Sequence, residues 1–214
     1  SIDNGATERH LYYSAQIDYN NTFGKHTVGA MGLFSRQERA RGSIVPNYRE
    51  DWAFRITYNY ANKYFLEYNG AYNGSDKFSA DNRFVFFNSG ALGWMISEEK
   101  FMKNLKWDWL SFLKLRGSWG VNGNIDSLGG FAYASTLWLG GNNYSFSDKL
   151  ITGASPSSQL ANADLCWERS TQLDFGLEAR FLRDRLQFGL DWYRKETTDM
   201  LSSISAPAVS GASY

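Results

Sequence analysis

From Thr171 to Phe181 the chain reads TQLDFGLEARF, and its side chains alternate without a break. Leu173, Phe175, Leu177, Ala179 and Phe181 fall on one face. Gln172, Asp174, Gly176, Glu178 and Arg180 fall on the other. A β-strand sends successive side chains to opposite faces, so this is a strand with one greasy and one charged side. Seven further runs carry the same alternation, and the connectors between them are alternately short and long. A transmembrane β-barrel is written this way, with lipid outside and a wet lumen inside.

The predicted strands are Glu8 to Asn20, Thr27 to Gln37, Glu50 to Tyr60, Tyr64 to Asn73, Phe84 to Ile96, Phe112 to Asn122, Leu165 to Phe181 and Leu186 to Lys195. The third and fourth make the clearest hairpin. Trp52, Phe54, Ile56, Tyr58 and Tyr60 face lipid across the turn from Tyr64, Leu66, Tyr68 and Tyr72. In the second run Val28, Ala30, Gly32 and Phe34 compete with Met31 and Leu33 for the outer face, and its orientation stays open. Ser97-Glu98-Glu99 reads as a capped helix start, with a short helix over Glu98 to Leu105. There the two carboxylates are surface charges that complement the helix dipole.

Short connectors near 21–26, 61–63, 97–111 and 182–185 are expected on the periplasmic side. Longer ones at 38–49, 74–83 and 123–164, and the tail after 196, are expected outside the cell. A strand of about 11 residues, at roughly 3.3 Å each and tilted near 45°, spans about 25 Å, the height of a barrel's apolar band.

A soluble β-sandwich also alternates. Two features count against it: Tyr and Trp at the ends of the apolar faces, and strands longer than the usual five to six residues. Aromatics make up 17% of the 214 residues, as the interfacial girdles of a barrel require. No stretch is long and apolar enough for a membrane helix. Basic and acidic residues number 22 each, so no charge excess invites nucleic acid.

No catalytic constellation emerges, and the chain reads as a non-enzyme that needs no cofactor. His10 and His26 have no carboxylate or thiol cluster with which to share a metal. Cys166 stands alone, which leaves no internal disulfide. Gly117, Gly120 and Gly123 lack the Lys-Ser/Thr of a phosphate loop. The lumen face carries both charge signs, chiefly Arg55, Glu67, Arg116, Asp174, Glu178 and Arg180. This wall either holds a plug by ion pairs or is simply wetted. The long connector offers Phe131, Tyr133, Trp138, Tyr144 and Phe146, rings suited to stacking on sugars or gripping peptides, or to packing on one another.

Three stretches go further: ALGWMISEEKFM (Ala91 to Met102), LKLRGSWGVNGN (Leu113 to Asn124) and ADLCWERSTQLDFGLEARFLRDRLQFGLDWYRKETTDML (Ala163 to Leu201). In order and spacing they resemble the later barrel segments of SusC/RagA-like TonB-dependent outer-membrane transporters. The resemblance covers most of residues 50–214, with Cys166 standing where a basic residue is expected.

The resemblance implies an all-β segment, residues 1–214, of a much larger antiparallel barrel in the outer membrane of a Gram-negative cell. Such barrels have about 22 strands around a plugged lumen and need on the order of 590 residues before any plug. Neither a plug nor a TonB-contacting box is recognisable, and the last residues do not resemble a closing strand. The implied activity is active import of a large nutrient, an oligosaccharide or a peptide. The implied partners are TonB, acting through the plug, a SusD-like surface lipoprotein as lid, and lipid or lipopolysaccharide around the wall. The structural rival is a stand-alone eight-stranded barrel serving as anchor or adhesin, in which the first and last strands must pair. An outer-membrane enzyme would need a nucleophile–base pair, and a soluble sugar-binding β-protein would need no detergent.

Overall fold

The computed structural model describes residues 8–41, 46–105, 107, 109–125, 133–134, 137–146, 149–156, 162 and 164–200. Eight strands form one antiparallel sheet, in the order β1-β2-β3-β4-β5-β6-β9-β10. They are β1 (Glu8–Phe23), β2 (His26–Arg41), β3 (Asn47–Tyr60), β4 (Tyr64–Ser75), β5 (Phe84–Met95), β6 (Leu110–Asn124), β9 (Glu168–Phe181) and β10 (Leu186–Thr198). Between β6 and β9 lie β7 (Leu137–Phe146) and β8 (Lys149–Pro156), a separate two-stranded sheet. All eight predicted strands are present. The hairpin β7–β8 was not expected, because the Gly-, Asn- and Ser-rich 123–164 segment reads as an irregular connector.

Several strands run past their predicted ends. The β1–β2 ladder continues to Glu8↔Arg41, and β3 starts at Asn47 rather than Glu50. Backbone pairing does not depend on side-chain polarity, so ladders extend beyond the apolar band that marks a strand in sequence. Outside the band the two faces carry charge pairs instead, Arg9 with Glu38 at 2.5 Å and Arg39 with Glu8.

The register settles the facing of every strand of the eight-stranded sheet. Directly opposed residues share a face. One row runs Phe34↔Trp52↔Tyr72↔Phe86, and another His26↔Tyr60↔Tyr64↔Trp94↔Leu115↔Leu177↔Leu190. β2 therefore shows Val28, Ala30, Gly32 and Phe34 to lipid and turns Met31 and Leu33 inward. Rings meet along these rows: Phe34 tilted against Trp52 at 4.5 Å, His26 tilted against Tyr60 at 4.8 Å, and Tyr64 near-parallel to Trp94 at 6.5 Å. The rows lie eight residues apart on β3, about 26 Å along the strand at roughly 3.3 Å per residue. They are the two aromatic girdles. Between them, the Phe54 and Phe86 rings meet over Gly70 (centroids 6.4 Å apart), where a Cβ would collide with both.

The short-turn end is tied from turn to turn. Ala61 N donates to Lys25 O, Met95 N to Lys63 O and Leu182 N to Trp109 O, at 2.7–2.8 Å. The turns are tight enough to hold Ala61, Asn62, Leu182, Arg183 and Asp184 at positive φ. The predicted helix over Glu98 to Leu105 becomes a 3-10 turn at Ile96–Glu98 and a single α-turn, α1, at Lys100–Asn104. Ser97 lies inside the 3-10 turn rather than capping a helix, and α1 has no side-chain N-cap.

At the other end the sheet opens. The β5–β6 ladder runs only from Met95↔Lys114 to Ser89↔Gly120, although β5 stays paired to β4 and β6 to β9 well beyond. Phe78, Phe87, Ile125 and Trp167 fill the seam, the only buried cluster among the described residues. Phe78 lies flat on Trp167 at 5.2 Å, and Trp167 Nε1 donates to Arg83 O at 3.4 Å. Asn82 Nδ2 reaches Leu165 O at 3.2 Å, and Lys77 Nζ reaches Ile125 O at 2.9 Å. The 74–83 connector is thus fastened across the gap in the ladder. Cys166, beside this cluster, is a free and half-buried thiol.

Candidate functional site

The lumen face is built by the alternate residues of the same ladders. One of its rows is Asn59↔Phe65↔Gly93↔Arg116↔Gly176↔Asp191. Arg116 Nη2 donates to Asp191 Oδ1 at 2.6 Å, and Arg116 Nη1 lies 3.3 Å from Glu178 Oε1. These contacts cross β9 because Gly176 has no side chain. A Cβ at that position would overlap both Arg116 Nε and Asp191 Oδ1.

A second cluster sits two rows nearer the open seam. Arg55 Nε donates to Asn69 Oδ1 at 2.9 Å and lies 3.6 Å from Glu67 Oε1. Asn69 Nδ2 in turn donates to Glu67 Oε1 at 2.9 Å and to Ser89 Oγ at 3.3 Å. The amide thus links the two charges and carries the network onto β5. Asp174 lies on the row of Glu67, opposite Ser118 and Tyr193. Arg180 lies apart, its guanidinium 4.7 Å above the Phe112 ring at the short-turn end. A shallow groove of about 380 Å³ runs along this face, lined in part by Thr57, Asn59, Glu67, Lys114 and Arg116.

Of the six lumen residues predicted from sequence, the structure therefore pairs Arg55 with Glu67 and Arg116 with Glu178. It leaves Asp174 and Arg180 outside those two clusters. The sequence places Asn69 and Gly176 on the lumen face without a role; in the structure Asn69 carries one network forward and Gly176 lets the other cross a strand. Their signal was available only as register, since neither is distinctive by type.

These ion pairs are about half exposed. The Arg55 cluster holds one charge of each sign and the Arg116 cluster sets two carboxylates on one guanidinium, so the wall offers paired charges and amides rather than a field of one sign. Among the described residues no group of three His, Cys, Asp or Glu could hold a metal ion. His26 Nδ1 is 2.7 Å from the Tyr58 hydroxyl on the lipid face.

Three of the five aromatic candidates fall on β7. Trp138 is opposite Ser155, Tyr144 opposite Ile151 and Phe146 opposite Lys149. Tyr133 is half-buried, and its carbonyl accepts from Asn162 N at 3.1 Å. Phe131 lies outside the described residues.

A further site was missed. Glu99 does not decorate a helix start; its side chain is only 14% exposed. Its carboxylate accepts from the Tyr64 hydroxyl at 2.6 Å, Lys63 Nζ at 3.0 Å and Trp94 Nε1 at 3.3 Å. The Tyr64 hydrogen bond, then that from Lys63, holds its pKa down at about 2 against an ordinary 4.5. Glu98 is the surface charge, paired to Lys103 at 2.6 Å. At the opposite end Asp76 accepts from Tyr48 N at 2.9 Å, and burial pushes its pKa up.

The profile of the TonB-dependent receptor-like β-barrel matches residues 2–214. The chain belongs to this family. It is 37% identical over 156 residues to the TonB-dependent receptor SusC of Bacteroides thetaiotaomicron, covering 72% of this chain and 15% of that protein. It is 30% identical over 233 residues to the TonB-dependent receptor P3 of Formosa agariphila, covering 92% of this chain and 22% of that one. The RagAB peptide importer in its closed-closed state shares the fold, with TM-score 0.81 and 22% identity, over 95% of this chain and 25% of the solved one. The chain thus spans between a seventh and a quarter of the relatives it matches. It is an all-β piece of a TonB-dependent-receptor barrel, an outer-membrane protein of Gram-negative bacteria, and its relatives are receptors and transporters rather than enzymes.

Proposed function

We propose that residues 1–214 form part of the wall of an active importer for large nutrients, with the plug and the remaining strands elsewhere in a longer protein. The observation that carries this reading is the lumen face. It is lined by self-paired charges and amides, Arg55–Asn69–Glu67 and Arg116–Glu178–Asp191, on a sheet whose edges β1 and β10 form no ladder with each other among the described residues. A small barrel closed on itself needs that ladder. A wide wall that contacts a removable plug needs polar groups already satisfied within the wall, so that losing the plug leaves no buried charge unpaired.

The imported molecule is an oligosaccharide or a peptide, and transport is energised through TonB acting on the plug. SusC and the RagAB peptide importer are the similar proteins that support this reading. A SusD-like lipoprotein caps the extracellular mouth, facing the 38–49, 74–83 and 123–164 connectors. Trp138, Tyr144, Phe146, Tyr133 and Phe131, all in the longest of these, supply stacking surface for the cargo. Arg55, Glu67, Arg116, Asp174, Glu178 and Arg180 form the passage wall on which the plug rests.

Uptake of labelled oligosaccharide and of labelled peptide by cells expressing the complete protein, with and without functional TonB, tests the proposal. Uptake of one class that disappears without TonB is expected, with a lipoprotein co-purifying in detergent. TonB-independent uptake, or uptake of neither class, would overturn it. Replacing Trp138 and Tyr144 by Ala in the complete protein should weaken cargo binding. Unchanged binding would remove these rings from the cargo site.

A further inference from the structure

The connector from β5 to β6 has an apolar surface that the barrel wall does not use. Phe101, Leu105, Trp107 and Trp109 are 44–52% exposed. Phe101 and Leu105 stand four residues apart, on one side of the α1 turn. Trp107 stacks on Trp109 at 5.3 Å, and Trp109 lies parallel to Phe181 at 5.7 Å with 4° between the ring planes. Phe181 ends the lipid-facing set of β9 and is opposite Leu186, itself 54% exposed. The connector's rings therefore continue the lipid-facing surface of the wall past the ends of its strands.

The polar groups around this surface are sorted. The Glu99 carboxylate is taken by Lys63, Tyr64 and Trp94. Glu98 is taken by Lys103. Lys100 is exposed, and so are Arg183 and Arg185 in the β9–β10 turn, with Asp184 between them. That turn is held against the connector by Leu182 N to Trp109 O at 2.8 Å and against the start of β6 by Asp184 N to Ser111 Oγ at 3.3 Å. Exposed apolar side chains bordered by cations are the makeup of an element that lies in the plane of a phospholipid interface.

We propose that the β5–β6 connector is a membrane foot, which beds its apolar side chains among the acyl chains of the periplasmic leaflet with its cations at the lipid phosphates. Continuity with the lipid-facing wall selects this occupant. A plug would lie against the opposite, lumen face. Further wall strands would join at β1 or β10, whereas the foot hangs between two interior strands of the sheet. The foot extends lipid contact beyond the strand girdles to an element that crosses nothing, and it does not depend on what the barrel imports.

The test uses the full-length protein in nanodiscs of phosphatidylethanolamine and phosphatidylglycerol, with other cysteines removed. Nitroxide labels are placed at Phe101→Cys, Leu105→Cys and Lys100→Cys, with Leu190→Cys as the lipid-facing reference. Heat-modifiable gel migration establishes that each variant is folded, and either apolar site suffices if the other fails. Labels at 101 and 105 should meet oxygen several-fold more often than a nickel chelate, as at 190, and the label at 100 should read shallower. A nickel excess at 101 or 105 means water around the foot, and low collision with both reagents means a protein cover. Either result overturns the proposal, as does a label at 100 deeper than one at 101.

Discussion

Arg116 on β6 bonds Asp191 on β10 at 2.6 Å across an intervening strand, and the residue beneath the contact is Gly176. Two strand spacings are about 9.6 Å. An arginine and an aspartate can close that distance only if nothing stands between them. Gly176→Ala should therefore abolish the coupling between the pair. Both side chains are about half exposed, so the coupling in a double-mutant cycle of Arg116→Ala and Asp191→Ala should stay under about 1 kcal/mol. Urea unfolding of the refolded full-length barrel measures it. Coupling that survives in the Gly176→Ala background would show that the arginine reaches its partner by another path.

The Glu99 carboxylate makes the short-turn rim sensitive to acid. Its folded pKa of about 2 lies below the ordinary 4.5, so its stabilisation is fully present above about 4.5 and is lost as pH falls toward about 2. Glu99→Gln should flatten the pH dependence of the urea midpoint within that window and leave its shape above pH 5 unchanged. An identical slope in wild type and variant would mean that the carboxylate is not held as described.

Trp167 closes the unpaired half of the β5–β6 seam and is 2% exposed. Trp167→Ala should destabilise the full-length barrel by about 3–5 kcal/mol, the usual cost of deleting a large buried aromatic. Trp167→Phe should cost less, about 1 kcal/mol, since Arg83 O gives up this hydrogen bond but keeps the one from Ser75 N at 3.2 Å. Chemical denaturation ranks the two, and an Ala variant as stable as wild type would make the seam cluster incidental.

Ala61 sits in the β3–β4 turn at φ 53°, while its N–H donates to Lys25 O at 2.7 Å. A side chain in the left-handed region costs about 1–2 kcal/mol. Ala61→Gly relieves that cost against a backbone-entropy loss of about 0.5–1 kcal/mol. A net gain of about 0.5 kcal/mol is expected in the unfolding midpoint. A clear loss would mean that the Ala61 methyl contributes more by contact than it costs in strain.

The eight wall strands and the facing of seven of them were legible because lipid and water impose opposite chemistry on alternate residues. Thr171 to Phe181 shows this in a single line of sequence. β2 was not legible, since Val28 to Phe34 mixes small and apolar residues on both faces. Pairing of Phe34 with Trp52 and of Ile17 with Gly32 decides it. The β7–β8 hairpin was missed because its Gly- and Asn-rich run shows no greasy face. The carboxylate of Glu99 looked like a surface charge because its partners lie 35 residues away in Tyr64 and 36 in Lys63.

Local sequence thus determined what each strand shows to lipid and what it shows to the lumen, because alternation is a property of a few consecutive residues. Tertiary structure decided which side chains meet: Arg116 with Asp191 over Gly176, Arg55 with Glu67 through Asn69, and Trp167 in the seam that β5 and β6 leave open. Each of these depends on the register between strands far apart in sequence. A shift of one residue would turn every one of those side chains to the other face.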